Sequence, residues 1–110
     1  MNLGVPKDKI IKQVLAKLYR LFGEANLYLT NYWDADLCAV GIENLTDKKH
    51  LIYISAYNKP TDYYFVEVEK AESEIDIANY DVIGSFNEIN FEDLSKLITK
   101  YLNLQPIYEQ

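Results

Sequence analysis

Cysteine and histidine occur once each in these 110 residues, as Cys38 and His50, and the four glycines are scattered at Gly4, Gly23, Gly41 and Gly84. One cysteine closes no intramolecular disulfide, and one residue of each kind completes no tetrahedral zinc site. Dispersed glycines build no phosphate cradle, which needs them clustered so that backbone can approach the ligand. Long apolar runs are missing too. The longest candidate, LIYISAY at 51–57, is strand-sized, whereas a bilayer crossing takes about 20 residues. The amino-terminal MNLGVPKDKI lacks the apolar core of a secretion signal, so the expectation is a cytoplasmic protein with no membrane partner. Without a secretory route, Asn44-Leu45-Thr46 reads as a turn rather than a glycosylation acceptor.

What is present is a composition for one domain. With 49% hydrophobic residues and 110 positions, the chain can bury a single core without metal or disulfide. Its net charge of −6 is unevenly spread. Residues 1–22 carry five bases (Lys7, Lys9, Lys12, Lys17, Arg20) against Asp8, while residues 62–93 carry ten acids against Lys70. Most of the surface should therefore repel nucleic acid, whose binding depends on neutralising phosphates, and attract basic proteins.

Residues 7–22 place Ile10, Ile11, Val14, Leu15, Leu18, Leu21 and Phe22 at helical spacing, with Pro6 suited to the first turn and Gly23 to the stop. Four strand-like runs follow at 26–32, 37–43, 51–57 and 63–69, and a fifth at 80–86. The connections between the first four are short and rich in turn residues, which favours an antiparallel meander. The piece AESEIDIAN between the fourth and fifth runs reads as an irregular loop or an edge strand. Asn90 can cap a last helix whose buried face holds Phe91, Leu94, Leu97, Ile98, Tyr101 and Leu102. The expectation is an α+β domain in the order α-β-β-β-β-(β)-α. A four- or five-stranded antiparallel sheet would carry both helices on one face and leave the other to solvent or a partner. Alternation in YYFVEVE assigns Tyr64, Val66 and Val68 to the core and Tyr63, Phe65, Glu67 and Glu69 to the open side.

No constellation for catalysis emerges. Cys38 alternates with Val40 and Ile42 and reads as a buried structural thiol, and His50 as a solvated turn residue. Asp34 and Asp36 lack the glycine and distal glutamate of a calcium-binding hand. Glu67, Glu69, Glu72, Glu74 and Asp76 could hold a general acid only if one were desolvated; a dense run of this kind otherwise stays hydrated. The lysines and arginine of the first helix have no interleaved aromatics and read as a solvated face. We therefore expect no enzyme, no cofactor and no metal.

Ten tyrosines and one tryptophan are the other conspicuous surplus. Tyrosine and tryptophan bury area at low entropy cost and are enriched in interface hot spots, and carboxylates beside them steer a basic partner. Two patches combine these features. Tyr32, Trp33, Asp34 and Asp36 form one; Tyr63, Phe65, Glu67, Glu69, Glu72, Glu74, Asp76 and Asp81 form the other.

The leading amphipathic helix, the meander YWDADLCAVGIE, LIYISAY and YYFVEVE, and the closing unit DVIGSFNEINFEDLSKLITKYL together resemble the immunity proteins of bacterial polymorphic toxin systems, including contact-dependent growth inhibition. The resemblance spans residues 7–103. It implies a non-enzymatic inhibitor that binds a cognate toxin domain, often a nuclease, and blocks its active site or substrate surface. Two other readings stand beside it. One is a small-ligand module or enzyme with a pocket between sheet and helices; the other is a homo-oligomeric scaffold paired through the open sheet face or an edge strand. As an inhibitor the chain would be a monomer or a weak homodimer.

Overall fold

The computed structural model describes residues 7–30, 35–71 and 80–107. Helix α1 (Lys9–Phe22) leads through a single 3-10 turn (Glu24–Asn26) into strands β1 (Leu27–Leu29), β2 (Ala39–Asn44), β3 (Asp47–Ser55), β4 (Tyr63–Ala71) and β5 (Tyr80–Asn90), and helix α2 (Phe91–Tyr101) closes the order. The strands make one antiparallel sheet in sequence order, β1-β2-β3-β4-β5. The expected α+β architecture is therefore the observed one, with five strands.

Each helix is delimited by residues chosen for it. Asp8 caps α1, its Oδ1 accepting from the Lys9 amide at 2.8 Å. The expected role of Pro6 lies outside the described residues. Gly23 ends the helix at φ 92°, a left-handed conformation that glycine adopts without a Cβ penalty, and its amide donates to the Tyr19 carbonyl at 2.9 Å. Asn90 caps α2, its Oδ1 accepting from the Asp93 amide at 2.9 Å.

Both helices cover one face of the sheet. Ile11, Val14, Leu15, Leu18 and Phe22 of α1 and Leu94 and Ile98 of α2 meet Ile42, Ile52, Ile54, Val66 and Val68 in one cluster, all of them fully buried. Tyr64, Val66 and Val68 lie in this core, as alternation requires.

Strand limits differ from expectation where polar residues join strands. β3 begins at Asp47, because Leu45 and Thr46 alone make the turn; Asn44 Oδ1 accepts from the Thr46 amide and hydroxyl at 2.9 and 3.1 Å. It ends at Ser55, whose Oγ accepts from the Tyr57 amide, and Asn58 follows at φ 56°. β5 continues through the polar Asn87 and Glu88 to Asn90, so one residue ends the strand and caps the helix. Its two register shifts against β4 are bulges, which bend an edge strand away from pairing with another chain.

Replacing Asn90 with Ala should lower stability by about 1 kcal/mol, the usual cost of losing a side-chain cap. Asn90→Asp should retain most of it. Denaturant unfolding checks this: the alanine midpoint should fall with an unchanged slope, and equal midpoints would refute the cap's role.

Candidate functional site

The site is the sheet face turned away from the helices. Antiparallel pairing aligns its side chains in transverse rows, with Ala39, Ser55 and Phe65 in one, Gly41, Tyr53, Glu67 and Ser85 in the next, and Leu51, Glu69 and Val82 in a third. Tyr28 pairs with Glu43 at the β1–β2 margin of the same face.

This face has one closed end and one open end. At the closed end Leu51 is fully buried and Glu43 is 3% exposed, although no helix covers either. The Tyr80 hydroxyl donates to Glu43 Oε2 at 2.7 Å. Tyr80 lies on β5 and Glu43 on β2, three strand intervals and about 14 Å of backbone apart. Both side chains must reach toward each other across the face, over β3 and β4, and Leu51 lies on β3 between them. Burial pushes the Glu43 carboxyl above its ordinary range, against the opposing pull of the Tyr80 hydroxyl and the Lys48 charge. Lys48 itself sits over the Tyr28 ring, 3.8 Å from its centroid.

A local irregularity creates this arrangement. Between the pairs Ile42–Ile52 and Asn44–Asp47, β2 has only Glu43 while β3 has Lys48 through Leu51. The surplus in β3 leaves Glu43 without a ladder partner on that side and brings Lys48 back toward β1.

Glu67 and Glu69 are half-buried neighbours on β4. Burial, and then the charge of Glu67, raise the Glu69 carboxyl. Among the described residues neither has a basic partner: the ion pair between Lys96 and Glu92, 3.7 Å, belongs to α2 on the far side of the sheet. The Tyr53 and Phe65 rings meet edge-on beside them at 6.2 Å. Burial raises the Tyr53 phenol, and the charges of Asp36, Glu67 and Glu69 add to this against a hydrogen bond with Ser55, so those three acids act on one ring.

The expected contact residues thus divide. Phe65, Glu67 and Glu69 share the outer face, with Tyr63 at its rim and Asp36 beside Tyr53. Asp81 pairs with Lys70, one position along from Tyr80, so alternation turns it to the helix side and away from Glu67 and Glu69. Tyr32, Trp33, Asp34, Glu72, Glu74 and Asp76 lie outside the described residues. Pattern reading missed Glu43, Tyr53 and Tyr80, because nothing local marks a contact between residues far apart in sequence.

Two residues sit differently from expectation. Cys38 precedes β2, is half-exposed, and has its Sγ 3.8 Å from Asp8 Oδ2. Partial burial and the Asp8 and Asp36 charges push the thiol up, which keeps it protonated and a poor nucleophile. His50 is a strand residue whose ring lies 5.8 Å from that of Tyr101 in α2. Burial and then the Lys70 charge lower its pKa.

Among the described residues no group of three or more His, Cys, Asp or Glu is placed to hold a metal. No described helix is long and apolar enough to cross a membrane. A groove of about 510 Å³ lies on the other side, between α1 and the tail, lined by Ala16, Lys17, Tyr19, Arg20, Gly23, Glu24 and Ile107. Its one carboxylate, Glu24, lies among Lys17, Tyr19 and Arg20. No protein family, curated protein or solved structure matches the chain.

The raised Glu43 carboxyl predicts a pH dependence of stability. A carboxyl that holds its proton more tightly when folded adds stability that is complete below its unfolded value, about 4.3, and lost as pH rises through the higher folded value. Glu43→Gln keeps an acceptor for Tyr80 and removes the titration. Unfolding measured from pH 4 to 8 should therefore decline less steeply with pH in the variant than in the parent. Parallel curves would show that Glu43 does not carry this charge penalty.

Proposed function

We propose that this protein is a non-enzymatic inhibitor of the immunity-protein kind, which docks the outer face of its sheet on a basic, nuclease-type toxin domain. The observation that carries this reading is the carboxylate pair on the outer face, which the sheet holds apart from the bases of α1. Lys9, Lys17 and Arg20 are exposed on α1, on one side, and Glu67 and Glu69 stand on the other without a basic partner among the described residues. A carboxylate pair left unmatched within the chain is suited to matching from outside, and its field speeds encounter with a cationic surface.

Partial burial sharpens that suitability. A carboxylate already shed of some water loses less on docking, and beside Tyr53 and Phe65 it meets a cation in a medium of lower polarity than bulk water. The side chains of the cluster between sheet and helices are apolar, which gives a ligand there few polar partners, and the bulged β5 edge weighs against a scaffold joined edge to edge.

The test is complex formation with a basic, nuclease-type toxin domain from the genomic neighbourhood of this chain, should one be encoded there, measured by surface plasmon resonance at low and high salt. The parent should bind, and Glu67→Lys with Glu69→Lys should slow association at least tenfold at low salt, with a smaller difference at high salt. Absence of a complex, or unchanged binding by the double variant, overturns the proposal.

A further inference from the structure

The open end of the outer face, where β2 begins and β3 turns into β4, carries an apolar patch that charge alone does not explain. The Ala56 amide donates to the Cys38 carbonyl at 2.9 Å, and Ser55 pairs with Phe65. These contacts draw Leu37, Tyr57 and Tyr63 to one rim of the sheet. They are 54%, 72% and 41% exposed. At the closed end of the same face, Leu51 is fully buried. The chain therefore covers apolar surface at one end and leaves it in water at the other, as interaction sites do.

The surrounding charge decides what the patch receives. Asp36 and Asp62 are exposed beside it, with Glu67 a short way along the face. Of the bases nearby, Lys7 Nζ donates to the Asp36 carbonyl at 2.7 Å and so offsets charge at that residue, while Lys59 Nζ donates to Asn87 Oδ1 at 3.0 Å, which leaves Asp62 as the rim acid with no basic partner among the described residues. Exposed tyrosines can stack on unpaired bases, but carboxylates at the rim repel the phosphates that would arrive with them. A protein surface with an apolar centre ringed by lysine and arginine suits both parts. Interfaces of this design place binding strength in a few aromatic anchors and association speed in the charges around them.

We propose that Leu37, Tyr57 and Tyr63 form the apolar anchor of the interface, with Asp62 at its acidic rim, and that the occupant is the basic surface of the toxin domain. This rests on the inhibitor reading above and adds where the grip lies. Acids on the strand guide the approach, and the rim at the open end holds the partner.

Binding kinetics with the same toxin domain test it. Tyr57→Ala should speed dissociation at least tenfold while association changes less than twofold, and Leu37→Ala should act in the same direction. Asp62→Lys should mainly slow association. Tyr28→Ala, at the closed end, should leave both rates within twofold. Because Tyr57 is largely in solvent, thermal melts of parent and variant should coincide, so a loss of binding would not reflect unfolding. If Tyr57→Ala and Leu37→Ala bind like the parent while the Glu67 and Glu69 double variant is impaired, the anchor is wrong and the inhibitor reading stands. If the parent forms no complex, that reading fails and the anchor with it. A concentration-dependent dimer in light scattering that Tyr57→Ala abolishes would put a second copy on the patch and overturn the assigned occupant.

Discussion

The alternation of side chains across a single covered sheet is the constraint on which the remaining features depend. Because both helices lie on one face, alternate residues of each strand face the helices, those at the centre of β2 to β4 forming the hydrophobic cluster, and the residues between face the other side. Glu67 and Glu69 cannot reach the cations of α1, since the sheet and its buried layer of isoleucine and valine stand between them. The resulting asymmetry does not depend on flexible surface contacts. It is built into the backbone.

The same geometry gives the outer face two characters. Near β1 and the start of β3, Glu43 is withdrawn from water and held by Tyr80, a costly placement for a carboxylate. A carboxylate kept there despite the cost gives Tyr80 a charged acceptor, and this bond ties the start of β5 to β2. At the opposite end Leu37, Tyr57 and Tyr63 stay in solvent. One end is held by internal contacts, and the other keeps apolar side chains exposed.

Local features were legible in the sequence and remote ones were not. Helical spacing from Ile10 to Phe22, the stop at Gly23 and the cap at Asn90 each depend on residues within a turn or two. The split of β4 into Tyr64, Val66 and Val68 against Phe65, Glu67 and Glu69 follows from alternation alone. By contrast, the polar Asp47-Lys48-Lys49-His50 becomes strand only because the two-residue turn before it aligns β2 and β3, and Asn87 to Asn90 becomes strand because β4 is there to pair with it. Cys38 obeys the alternation of β2 on paper, yet it precedes the strand and is not enclosed. Glu43 and Tyr80, 37 positions apart, meet through a register irregularity that no pattern within either strand announces. Of the proposed contact residues, those on β4 were readable, whereas Leu37 and Tyr57 became candidates only from their exposure at the rim.

The passage from β5 into α2 through Asn90 has one more consequence. With no linker between them, the phase of the helix is set by the phase of the strand. A slip of β5 by one position against β4 would turn its faces over and, with no linker to absorb the change, swing the apolar side of α2 off the sheet. Misalignment would thus be penalised twice, once in the sheet and once in the helix, so the junction acts as a proofreading device for the last strand of the meander.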